Sequence, residues 1–88
     1  MIGGMTPPDP IKVVEARRFL ADCDPVQIRV NAGLSKAELA RLVGVTPAAI
    51  SLLEAGLRRP WGRTAVAWAD ALVRIQLAGR PASSRTAA

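Results

Sequence analysis

Residues 36–55 read KAELARLVGVTPAAISLLEA, and this stretch decides the fold. Ser35 stands immediately before it, with Glu38 three residues on. That S-x-x-E spacing is a capping box, in which hydroxyl and carboxylate satisfy the first free amides of a helix. The helix is expected from about Lys36 to Val43, with Leu39, Ala40 and Val43 as its inner stripe. Gly44 ends it, because glycine adopts positive φ without penalty. Thr46-Pro47 then starts a second helix, a capping side chain followed by proline at the first helical position. It is expected to run from Pro47 to Ala55, to bury Ile50 and Leu53, and to be closed by Gly56.

The same punctuation recurs upstream. Asp9-Pro10 and Asp24-Pro25 each read as a cap plus a helix start. The first helix is expected to reach about Asp22, with Val13, Ala16, Phe19 and Leu20 toward the core. The next is expected to stop at Gly33, with Ile28 and Val30 as its core residues. A last helix is expected to start within 61–64 and to end near Ala78, packing Ala65, Trp68, Ala69, Leu72 and Ile75. No stretch alternates with period two for long, so strands are not expected. The reading is all-α: five short helices over residues 9–78, with the motif at 36–55. Segments 1–8 and 79–88, rich in Gly, Pro, Ser and Ala, are expected to be mobile.

Composition narrows the chemistry. The 88 residues include no histidine, no tyrosine and a single cysteine, Cys23. An internal disulfide, a Cys/His metal site and histidine-dependent acid–base catalysis are therefore excluded. The acids form no recognisable catalytic pair, so neither an enzyme nor a cofactor is expected. No apolar run approaches the ~20 residues that span a bilayer. Residues 1–10 lack the basic and apolar regions of a secretion signal, so a cytoplasmic location away from membranes is expected. The net charge is +5, and its placement is more informative than its size. Through Glu54 bases and acids balance. From Ala55 onward Arg58, Arg59, Arg63, Arg74, Arg80 and Arg85 face one acid, Asp70. A basic segment beside a neutral one suits a polyanion, nucleic acid foremost.

Two short helices joined by a glycine-containing turn form a helix-turn-helix pattern, whose second helix enters the DNA major groove. Residues 47, 48, 51 and 52 share one helical face, opposite Ile50 and Leu53. Residues 28–72 resemble the lambda-repressor-like, Cro/C1-type (XRE) DNA-binding domain. The resemblance rests on Ile28-Arg29-x-x-x-Gly33-Leu34-Ser35, the 20-residue motif, Glu54-Ala-Gly56-x-Arg-Arg-Pro60 and Thr64-x-x-x-Trp68-Ala69-x-Ala-Leu72. The segment from residue 10 to 22 is then an added N-terminal helix.

The resemblance implies double-stranded DNA as partner and gives residues their roles. Thr46, Pro47, Ala48, Ser51 and Leu52 would face the bases. Lys36, at a helix N-terminus, and Arg58, Arg59 and Arg63 would contact phosphates. Arg29 and Glu54 match positions that form an internal ion pair in several members. Family members often read bases with glutamine, asparagine or serine, whereas this face is poor in such groups. Moderate sequence specificity and a large electrostatic share of affinity are expected, with thymine-methyl contact and shape readout contributing. The alternative source of specificity is an arginine of the tail, Arg80 or Arg85, in the minor groove.

Trp61 and Trp68 are expected to pack in the core or a loop, and Cys23 to be inert. Val66, Val73 and Leu77 form a second apolar edge on the last helix. Either the added helix covers it or it is a homodimer face, the reading preferred here. The function expected is a small Cro-like repressor of bacterial or phage origin. The alternatives are an antitoxin that also holds a toxin, and an excisionase-like DNA bender.

Overall fold

The computed structural model describes residues 8–79. The terminal segments expected to be mobile, apart from Pro8 and Gly79, lie outside the described residues, as do Arg80 and Arg85. Five helices follow in order: α1 (Pro10–Asp22), α2 (Pro25–Asn31), α3 (Lys36–Val43), α4 (Pro47–Glu54) and α5 (Gly62–Ala78). The described chain contains no strand.

Local chemistry sets the boundaries. Asp9 accepts from the Ile11 amide at 2.9 Å, Asp24 from Gln27 at 3.2 Å and Thr46 from Ala49 at 3.1 Å. Each of these caps is followed by proline, whose missing N–H would have been unpaired in a first turn anyway. Helix α5 starts differently. Its N-cap is Trp61, which makes no side-chain capping bond. This explains why the sequence marks that start only to within a few residues. Helix α4 ends at Glu54, one residue before the expected Ala55, which serves as the C-cap instead.

Packing centres on α5. Leu39, Ala40 and Val43 of α3, Ile50 and Leu53 of α4, and Trp68, Ala71, Leu72 and Ile75 of α5 form one buried cluster. Leu39, Ile50 and Leu72 are fully enclosed, each worth about 1.5–3 kcal/mol of burial. Helix α1 lies chiefly along α5, through a second cluster of Ala16, Ala65 and Ala69. Small residues at that crossing let the two helices approach closely. Phe19 and Leu20 join the two clusters.

Two packing expectations are corrected. Val30 is 53% exposed, whereas Ile28 is half-buried against the core. Residues two apart on a helix point about 200° apart, so this two-turn helix cannot turn both inward. Trp61 is 81% exposed, while Trp68 is buried. Trp61 precedes the first turn of α5 and falls outside the stripe that α5 buries.

Candidate nucleic-acid interface

The site is built on α3, the turn after it and α4. The Glu38 amide donates to Ser35 Oγ at 3.1 Å, and the Ser35 amide donates to Glu38 Oε1 at 2.8 Å. The Ser35 backbone N–H, and then its hydroxyl, hold the Glu38 carboxyl below the usual glutamate range. Lys36 is exposed at the first position of this helix. At the other end Gly44 takes φ 88°, and the Gly44 and Val45 amides both donate to the Ala40 carbonyl, at 2.7 and 3.0 Å. That left-handed residue redirects the chain into α4.

Helix α4 is two-faced. Ala49, Ile50 and Leu53 are buried. Pro47, Ala48 and Leu52 are exposed, and Ser51 is half-buried beside them. Thr46 is also exposed, but its hydroxyl oxygen is committed to the cap of α4. Ser51 is the one hydroxyl of α4's outer face that takes no part in a cap. The five residues expected to face bases thus form one small, largely apolar surface.

The loop that follows is fastened to this helix. The Leu57 and Arg58 amides both donate to the Leu52 carbonyl, at 2.9 and 3.2 Å. Arg58 and Arg59 are therefore held just beyond the end of α4, exposed. Neither forms an ion pair with a described carboxylate. Asp70, the lone acid of the basic segment, pairs instead with Arg74 on the surface of α5 at 3.6 Å. Arg63 is exposed in the first turn of α5.

Arg29 and Glu54 sit behind the surface rather than on it. Arg29 Nε donates to Glu54 Oε2 at 2.7 Å and Nη2 donates to Oε1 at 3.1 Å. Nη1 donates to the Leu34 carbonyl at 2.9 Å. The side chains are 11% and 5% exposed. The hydrogen bond to Glu54 holds the Arg29 guanidinium above its already high ordinary pKa.

The second apolar edge of α5 divides. Val66 is half-buried and packs into the α1–α5 cluster with Phe19 and Leu20. Val73 and Leu77 are 38% and 60% exposed. Cys23 is half-buried at the end of α1, and burial raises its thiol pKa.

Two residues near the site gave no signal in the sequence. Arg17 of α1 lies in the charge-balanced half of the chain, yet its Nη2 reaches the Pro60 carbonyl at 3.5 Å. Trp61, next to that carbonyl, is the most exposed large hydrophobic residue described. Only the packing of α1 on α5 brings Arg17 to the loop, and no local pattern encodes it. Among the described residues no group of three or more His, Cys, Asp or Glu could hold a metal ion, and no helix is long and apolar enough to cross a membrane.

A family model described as Helix-turn-helix matches residues 27–72, from α2 to the middle of α5. No curated protein and no solved structure shows a significant match to the chain.

Proposed function

The chain belongs to the helix-turn-helix family of the Cro/C1 type, and from that premise we propose that it is a sequence-specific repressor of bacterial or phage origin, acting in the cytoplasm on double-stranded DNA. In this reading α4 lies in the major groove. Ser51 offers a hydrogen bond to a base edge, and Ala48 and Leu52 offer apolar contact to thymine methyls. Lys36, at the N-terminus of α3, holds a phosphate that the helix dipole also favours. Arg58, Arg59 and Arg63 hold further phosphates.

The observation that carries this reading is the outer face of α4. Pro47, Ala48 and Leu52 are exposed on a helix whose other face is core. Arg58, bonded through its amide to the Leu52 carbonyl, and its neighbour Arg59 stand at the end of that helix. Exposed apolar residues with cations at the helix end suit a groove between phosphate rails.

A two-fold dimer through Val73 and Leu77 is part of the proposal. Helix α1 covers Val66 but leaves those two residues, one turn apart, at the surface. Dimers bind half-sites about one helical turn of DNA apart. Selection of bound fragments from random duplexes tests the whole reading. It should return a palindrome with half-sites about 10 base pairs apart, short and tolerant at several positions. Recovery of unrelated sequences would contradict sequence-specific repression, and a single asymmetric site would contradict the dimer.

A further inference from the structure

We propose that Arg17 of α1, together with the loop from Arg58 to Trp61, grips a DNA backbone phosphate beyond those reached by the helix-turn-helix unit. This rests on the DNA-binding reading and extends it to a helix outside the matched family segment.

Three observations converge. First, Arg17, Arg59, Pro60 and Trp61 line a cleft of about 290 Å³ that contains no carboxylate. Arg17 also lines the adjoining concavity with Arg58 and Arg59, where the one acid, Glu54, is taken up by Arg29. Three arginines therefore border one hollow, and none of the three pairs with a described carboxylate. Cations around one hollow repel one another, and an anion between them removes that repulsion.

Second, α1 and the loop touch at this point. Arg17 Nη2 donates to the Pro60 carbonyl at 3.5 Å, and the loop is bonded to the Leu52 carbonyl of α4. The remaining nitrogens of a guanidinium fork stay available to phosphate oxygens. Third, Trp61 stands at the edge of the cleft, 81% exposed. An indole left in water beside arginines is suited to lie on a deoxyribose edge, burying its apolar face while the guanidinium groups take the charge. The partner is duplex DNA, because the cleft directly adjoins the loop that flanks the reading helix.

Salt-dependent binding and tryptophan emission test the proposal on the full chain. Each phosphate contact adds about 0.9 to the slope of log K against log[salt]. Arg17→Gln should make that slope shallower by about 0.9, and Arg17→Lys should restore it. An Arg17→Gln variant that binds weakly with an unchanged slope would mean that Arg17 only fastens α1 to the loop, and the proposal would fall.

Duplex should also quench the red-shifted emission of exposed Trp61, and Trp61→Phe should abolish that response while buried Trp68 still emits. Full duplex binding with no change in Trp61 emission overturns the assignment. So does quenching by millimolar inorganic phosphate without quenching by duplex. If wild-type protein binds duplex but both variants match it, this inference fails while the DNA-binding reading stands. If wild-type protein does not bind duplex at all, both fail.

Discussion

Arg29 and Glu54, 25 residues apart, meet as a guanidinium fork on a carboxylate, with contacts of 2.7 and 3.1 Å. The pair ties α2 to the last residue of α4, and a third bond to the Leu34 carbonyl fixes the chain entering α3. The orientation of α4 thus depends on an ion pair buried behind its exposed face. Arg29→Ala or Glu54→Ala leaves one charge nearly buried and unpaired, which should cost about 3–5 kcal/mol. Replacing both at once, Arg29→Met with Glu54→Leu, should cost less than either single change. Urea denaturation of the four proteins measures this. A double variant less stable than either single variant would show that the two side chains do not act as a pair.

The capping box gives a pH dependence with a definite sign. Glu38 has a folded-state pKa below its unfolded value, chiefly through the Ser35 amide. The stabilisation is therefore fully present above the ordinary glutamate range, near pH ~4.3, and is lost as pH falls through the lower folded value. Thermal unfolding between pH 7 and pH 3 should show this loss, and Glu38→Gln should remove that part of the dependence. An identical acid profile in Glu38→Gln would refute the assignment.

Gly44 isolates a backbone effect. Its φ is 88°, and a β-carbon built there would meet nothing within 4 Å. Gly44→Ala should therefore destabilise by about 1–2 kcal/mol, the cost of a left-handed residue, with no steric contribution. Calorimetric unfolding checks it. A neutral result would mean that the turn relaxes out of the left-handed region.

Much of this fold was legible because its punctuation is local. Asp9, Asp24, Ser35 and Thr46 each bond an amide two or three residues away, so a short window contains the whole signal. The exposed face of α4 was legible from periodicity for the same reason. Val30 and Trp61 were misplaced because burial is decided by neighbouring helices, and apolar character does not say which side they cover. The split of the α5 edge between Val66 and Leu77 depends on where α1 comes to lie. The contact of Arg17 with Pro60 spans 43 residues and has no local trace.

The outer face of α4 and the arginine loop should separate in function. If Ser51 and Leu52 face bases as proposed, Ser51→Ala and Leu52→Ala should change which sequences are preferred and leave the salt dependence intact. Competition binding between the selected site and single-base variants measures the first effect. Loss of affinity uniform across all sequences would assign these residues to the backbone instead.

The exposed pair on α5 should govern assembly. Leu77→Glu places a charge on a residue that is 60% exposed, so folding should be unaffected. Sedimentation equilibrium should show wild-type dimer and variant monomer. Identical masses would remove Val73 and Leu77 from any interface.

The most direct test is duplex binding by fluorescence anisotropy across a salt series, with wild-type protein and an Arg58→Ala, Arg59→Ala, Arg63→Ala variant. For the wild-type protein log K should fall linearly with log[salt], and the variant should give a clearly flatter line. Failure of the wild-type protein to bind duplex even in dilute buffer would contradict the DNA-binding reading.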